Sequence, residues 1–309
     1  MAIRRGLYRS GLRRSQPLAL PAISVGNLTV GGTGKTPVSA WIARLLIARD
    51  AHPAIVMRGY GDDEPLVHER LNPDVPVVIS ADRVRGVARA ATLGGDVAVL
   101  DDAFQHLRAA RDVDLVLLSA DRWTRRTRLL PAGPWREPLS ALRRASMVLV
   151  TRKAASPAAA MAVVDTVRHR FPEVPVGVAA LTLQELRSAN GESTMPLEAL
   201  AEARVLAIVA IGDPTAFLRQ LAASAATVRA AVFKDHHAYT HAEVARLASV
   251  LAAGEIAVCT LKDAVKLAPH WPREAPPLWY VSQGVILEEG HDPLNSLLAR
   301  VIATRSVQP

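Results

Sequence analysis

Six residues, Gly31-Gly32-Thr33-Gly34-Lys35-Thr36, carry the strongest chemical signal in this 309-residue chain. A β-branched apolar run precedes them and an amphipathic stretch opening near Pro37 follows. In such a strand–loop–helix setting, glycines let backbone N–H groups converge on phosphate oxygens, and the helix N-terminus adds partial positive charge. There Lys35 would reach the β- and γ-phosphates of a nucleotide and the Thr36 hydroxyl would hold Mg2+. The first glycine of the G-x-x-x-x-G-K-[ST] pattern falls on Thr29. The expected nucleotide-binding set is therefore Thr29, Gly31, Gly32, Thr33, Gly34, Lys35 and Thr36. Only five of the 37 basic residues are lysines, and Lys35 is the sole lysine in the first 152 positions. A compact ammonium stands where a guanidinium is otherwise preferred.

A second apolar run, 97–100, leads straight into Asp101-Asp102. A strand ending in acids puts carboxylates at the carboxyl edge of a sheet, beside a phosphate loop. One carboxylate there can hold Mg2+ and another can accept a proton from a nucleophile. Lys234-Asp235-His236-His237 forms a loop whose histidines read on the sequence alone as surface residues, although their titration near neutral pH suits proton handling. Thr260-Leu261-Lys262-Asp263 is not the N-K-x-D pattern that reads guanine. The arginine-dense stretch 122–144 contains Leu129-Leu130-Pro131-Ala132-Gly133-Pro134-Trp135-Arg136-Glu137-Pro138. Its prolines and glycine shape a loop in which Trp135 offers an apolar contact beside the phosphate-binding fork of Arg136.

The elements that must position these groups alternate. Strands are expected over 22–25, 54–57, 75–79, 97–100, 115–118, 147–150 and 176–179, with helices over 37–49, 83–93 and 158–170. Near-continuous apolar strands alternating with helices predict a parallel sheet covered on both faces. A turn signal at 188–193 breaks the pattern, and a second alternation follows, with strands over 205–211, 227–233, 256–260 and 278–281. The expected fold is a P-loop α/β/α sandwich, 1–187, a linker, 188–196, a smaller α/β domain, 197–283, and a terminal strand and helix, 284–309, packing back on the first domain.

Half the residues are apolar and 21% are charged, which excludes a disordered chain. The single cysteine, Cys259, excludes a disulfide scaffold and fits a reducing compartment. Aromatics at 4% argue against a stacking platform for nucleic acid. The net charge of +8 fits an anionic partner. Arg4, Arg5, Arg9, Arg13 and Arg14 predict a short basic amphipathic helix. At about 1 kcal/mol per basic residue near an anionic bilayer, such a helix supports peripheral attachment. No apolar run is long enough to span a membrane.

Together these segments resemble the tetraacyldisaccharide 4′-kinase family of lipid A biosynthesis. The resemblance is carried by residues 24–37, Arg58-Gly59-Tyr60-Gly61, Asp63-Glu64-Pro65-Leu66, Asp101-Asp102-Ala103-Phe104-Gln105-His106, Arg111-Asp112, residues 129–138, Ile211-Gly212-Asp213-Pro214, Asp235-His236-His237 and Lys262-Asp263-Ala264-Val265-Lys266. It implies transfer of the ATP γ-phosphate, with Mg2+, to the 4′-hydroxyl of a tetraacylated disaccharide 1-phosphate. It also implies two α/β/α domains closing over the nucleotide, at the cytoplasmic face of a Gram-negative inner membrane. Carried onto matching positions, it makes Lys35, Asp101 and His236 catalytic, with Asp101 as base paired to His236. Thr36 and Asp102 become metal-region residues, and Arg58, Trp135 and Arg136 substrate contacts. No nucleic acid and no obligate protein partner are expected. The chain departs from the family pattern at Met57, Ala103, Asp213 and Leu261. A partitioning-type switch ATPase is the alternative, although Val30 occupies the position of that class's signature lysine.

Overall fold

The computed structural model describes Tyr8 and residues 12–59, 63–124 and 127–305. Arg4, Arg5 and Arg9 of the expected basic helix, Tyr60-Gly61 and Arg125-Arg126 lie outside the described residues; Arg13 and Arg14 are exposed. The described chain forms two compact units.

The first unit contains residues 1–60, 68–180 and 287–309. Its strands are β1 (Ala22–Asn27), β2 (Pro53–Met57), β3 (Val77–Ile79), β4 (Val97–Asp101), β5 (Val113–Ser119), β6 (Met147–Arg152) and the first part of β7 (Val176–Ser188). They run in the order β7-β6-β5-β1-β4-β2-β3, with every pairing parallel. Its helices include α1 (Lys35–Ile47), the C-terminal part of α2 (Asp63–Leu71), α3 (Arg83–Thr92) and α4 (Pro157–Arg170).

The connection from β1 to β2 moves outward along this sheet and that from β3 to β4 moves back. Right-handed crossovers therefore put α1 and α3 on opposite faces. Side-chain alternation agrees. Ala54, Val56, Ala98 and Leu100 pack with Val87 and Ala90 of α3, and Val148 and Val150 with Val163, Val164 and Val167 of α4. The intervening residues Ile23, Val25, Ile55 and Val99 are buried too, on the side where α1 presents Val38, Ile42 and Leu46.

The chain leaves this unit within β7 and returns within β12 (Leu278–Glu289). The second unit comprises residues 61–67 and 181–286. It carries the parallel order β10-β9-β11-β12, with β9 at Arg204–Val209, β10 at Thr227–Val232 and β11 at Glu255–Thr260. Helices α5 (Pro214–Ala222), α6 (His241–Ser249) and α7 (Leu261–Leu267) cover it. Val205, Ala207 and Val209 pack with Phe217 and Leu221 of α5, whereas Leu206 and Ile208 pack with Val244 and Leu247 of α6. Successive β9 residues thus serve opposite layers.

Two boundaries differ from expectation. The chain crosses units near residue 180 because β7 continues without a break. Residues 188–196 are no linker: they turn β7 into the short antiparallel strand β8 (Thr194–Pro196), inside the second unit. Helix α2 had no predicted counterpart. The terminal helix α8 (His291–Ala303) belongs to the first unit, where Arg49 Nη2 donates to Asn295 at 2.8 Å and Arg300 to the Asp112 carbonyl at 2.8 Å.

Gly26, near the end of β1, is held by close approach. A Cβ there would lie 2.5 Å from the Phe104 Cβ and 2.8 Å from its backbone nitrogen. Gly26→Ala is therefore expected to destabilise the chain by about 1–3 kcal/mol through overpacking, read as a lower urea midpoint. An unchanged midpoint would show that the Phe104 segment gives way without strain.

Candidate active site

β1 lies between β5 and β4, where the strand order reverses, and this is where an open parallel sheet offers a crevice at its carboxyl edge. The phosphate loop leaves β1 there. Gly31, Gly32 and Gly34 all hold positive φ, 75°, 52° and 83°. The loop is braced on three sides. Asn27 Nδ2 donates to Thr33 Oγ1 at 2.7 Å, and Thr151 Oγ1 donates to the Thr33 carbonyl at 3.0 Å. Val30 N donates to the Pro134 carbonyl at 2.8 Å. Helices α3, α4, α5, α6 and α7 each open on a side-chain cap, from Asp82, Ser156, Asp213, Thr240 and Thr260. Helix α1 opens on Gly34 with no such cap, so its first N–H groups stay available to an anion.

Asp101 ends β4 level with Val25 of β1. Its carboxylate is buried and bonded on both oxygens. Ser39 Oγ donates to Oδ1 at 3.0 Å, and His68 Nε2 donates to Oδ2 at 3.0 Å. Burial alone would raise its pKa; the bonds from His68 and Ser39 and the charge of Lys35 outweigh this and hold it below the usual carboxylate value. Asp102 follows in a left-handed conformation, φ 49°, costly for a non-glycine residue. That turn directs its carboxylate to Arg136 Nη1, 2.9 Å from both oxygens, and to Lys35 Nζ at 3.8 Å. The side chain of Asp102 is 26% exposed and that of Asp101 only 5%.

In the second unit, His236 also adopts positive φ, 58°. Its N–H bonds the Ala210 carbonyl at 3.3 Å, and its Nδ1 lies 3.2 Å from Oδ1 of the buried Asp63. Beside this pair, Lys262 Nζ donates to Glu64 at 3.3 Å. The supporting loops converge on Asp263, which is fully buried and accepts from Ala210 N, Tyr239 Oη and Thr260 Oγ1 at 2.7–3.2 Å. Burial raises the pKa of Asp263 despite those bonds, and burial beside it pushes the Tyr239 hydroxyl up as well. His237 stacks on Phe233 with ring centroids 4.8 Å apart and is part of this packing.

The structure thus brings together Lys35, Thr36, Asp101, Asp102 and Arg136 in the first unit. It pairs His236 with Asp63 in the second unit and Asp101 with His68 in the first. Trp135 is no ligand contact: it is 2% exposed, edge-on to Trp123 at 5.9 Å, and bridges to Thr29. Arg58 lies exposed just beyond β2. Sequence reasoning missed Asp63 and His68 as site residues. Asp63-Glu64-Pro65 was the available signal, two acids and a proline at a helix start.

The fold and loop define a P-loop nucleotide-binding α/β protein. A family model describing tetraacyldisaccharide-1-P 4′-kinase matches residues 1–65 and 61–303. The tetraacyldisaccharide 4′-kinase of Geobacter sulfurreducens is 37% identical over 87% of this chain and 81% of its own length. That of an Anaeromyxobacter strain is 37% identical over 99% of this chain and 89% of its own length. The crystal structure of LpxK from Aquifex aeolicus in complex with ATP superposes with a TM-score of 0.74, at 29% identity, covering 97% of this chain and 94% of that one. The chain belongs to the tetraacyldisaccharide 4′-kinase family, and its activity is that of an ATP-dependent lipid A 4′-kinase.

Asp101 also gives the fold a pH dependence of known sign. Its folded-state pKa lies below the ordinary 3.8, so its contribution is present above that value and is lost as pH falls through the lowered one. Acid unfolding curves should show wild type losing more stability than Asp101→Asn between pH 5 and strongly acid solution. Parallel curves would mean that the bonds from Ser39 and His68 do not form in solution.

Proposed function

We propose that this kinase transfers the ATP γ-phosphate to the 4′-hydroxyl of a tetraacyldisaccharide 1-phosphate, with Asp63 and His236 handling the proton. The acceptor oxygen forms a bond to the γ-phosphorus while the bond from that phosphorus to the β,γ-bridging oxygen breaks. ADP leaves with the electron pair, and the hydroxyl proton passes to the carboxylate–histidine pair. Positioning and charge neutralisation supply most of the acceleration in such a transfer, and a positioned base adds roughly 10²–10⁴-fold.

The observation that carries the assignment of the base is the 3.2 Å approach of His236 Nδ1 to Asp63 Oδ1. Asp101, by contrast, has both oxygens occupied by Ser39 and His68. A carboxylate bonded that way and held below its ordinary pKa is a poor proton acceptor. It suits a structural and electrostatic role beside the phosphate loop. Lys35 and the uncapped start of α1 bind phosphate oxygens, and Arg136 steadies Asp102.

The donors fit Mg2+, which prefers hard oxygens and accepts one or two carboxylates beside phosphate and water. The Thr36 hydroxyl and the more open Asp102 carboxylate would hold it. It would supply charge neutralisation on the phosphate oxygens. Among the described residues no helix is long and apolar enough to cross a membrane. With the basic N-terminal stretch, this supports a reading in which the enzyme meets its acylated substrate as a peripheral protein, at the cytoplasmic face of the inner membrane.

The test is transfer of labelled γ-phosphate to tetraacyldisaccharide 1-phosphate in detergent micelles, beside a no-lipid control. Asp63→Asn and His236→Ala should each lower kcat by at least about 10²-fold while ATP affinity holds. If both variants turn over normally and Asp101→Asn does not, the proton belongs to Asp101 and this assignment fails.

A further inference from the structure

Lys35 and Arg136 both approach Asp102, so one carboxylate partly neutralises two cations at the phosphate loop. Arg122 stands apart from that arrangement. It lies in the turn after β5, and its guanidinium leans on the loop itself: a Cβ built on Gly31 would be 2.8 Å from Arg122 Nη1. Among the described residues no acid or carbonyl holds this exposed guanidinium.

The backbone that presents it is firmly fixed. The neighbouring Asp121 carboxylate accepts the N–H groups of Lys153, Ala154 and Ala155 at 2.7–2.8 Å, so it is not available to Arg122. Ala120 N donates to the Thr151 carbonyl at 2.8 Å, and the Thr151 hydroxyl donates in turn to Thr33 of the phosphate loop. On the other side Trp123 packs edge-on against the buried Trp135. The turn is therefore anchored to the same strand end that braces the loop, and a long side chain projects from it over Gly31. An unpaired guanidinium is expensive to immobilise unless an anion repays the ordering. Its planar fork matches phosphate oxygens.

We propose that Arg122 is a catalytic residue that clamps the terminal phosphate of bound ATP from within the chain and neutralises charge on the γ-phosphoryl oxygens as that group moves to the acceptor. The assignment rests on the phosphate loop being the nucleotide site. Gly31 is part of the same device, because any side chain there would occupy the space of the guanidinium.

The experiment compares wild type with Arg122→Ala, Arg122→Lys and Lys35→Ala in the full chain. It measures lipid phosphorylation, the Kd of Mg-ATP and Mg-ADP by calorimetry, and the urea midpoint. Arg122→Ala should lower kcat by at least roughly 10²-fold, weaken ATP but not ADP, and leave the midpoint unchanged. Arg122→Lys should be intermediate, and free guanidinium ion should restore part of the turnover of Arg122→Ala, which a structural role would not allow. Wild-type turnover in Arg122→Ala, or equal weakening of ATP and ADP, overturns the assignment. Lys35→Ala separates the two readings: if it still binds both nucleotides as wild type does, the phosphate-loop reading itself has failed.

Discussion

A carboxylate removed from water must be bonded on every side, and the way Asp101 meets that requirement organises the first unit. Its two side-chain oxygens take Ser39 from α1 and His68 from α2, and its carbonyl takes Arg83 Nη2 from α3 at 3.3 Å. Three helices are thereby tied to the end of one strand. Removing one partner of such a buried pair leaves an uncompensated polar group, at a cost of about 3–5 kcal/mol. His68 Nδ1 finds no hydrogen bond, so the ring is held through Nε2 alone and has one orientation to offer. The phosphate loop depends on this knot because Ser39 lies in the first turns of α1, whose start must face the nucleotide.

Charge at the loop follows from the same knot. With Asp101 committed inward, Asp102 is the carboxylate left to face Lys35 and Arg136. Its left-handed backbone turns the chain at the strand end, and the carboxylate there meets Arg136 and Lys35. Gly26 completes the fit, since the segment after Asp102 runs back across β1 with no room for a Cβ.

The sequence discloses what is local. The loop 31–36 and the acids 101–102 follow their strands directly, so spacing alone identifies them. It discloses much less of what is long-range. Asp63 and His236 are 173 positions apart, and neither the acid nor the histidine has a neighbour that names the other. Helix α2 escaped because its nine residues, DEPLVHERL, are mostly polar and have no clear apolar stripe. Trp135 misled for a related reason. Beside an arginine it reads as an exposed contact, but the loop folds back so that Arg136 N bonds the Leu28 carbonyl at 2.7 Å and the indole turns inward. The limit of the first unit fell early because β7 satisfies strand patterning straight through the crossing point.

Backbone strain is the signal that no pattern of residue types could reveal. Among the described residues, three without a glycine's freedom hold positive φ: Asp50, Asp102 and His236. Asp50 is explained by its place in the turn after α1, where its N–H reaches the Ile47 carbonyl and left-handed termini are common. The other two have no such excuse. Each sits just beyond a strand end and presents its side chain to a charged partner, Arg136 for one and Asp63 for the other. Strain of this kind persists only where the surroundings over-determine it. Asp101 and its three helices do that for Asp102. In the second unit the buried Asp263 does it for His236, by fixing Ala210, whose carbonyl receives the His236 N–H. Each strained residue therefore rests on a buried carboxylate, Asp101 for one and Asp263 for the other.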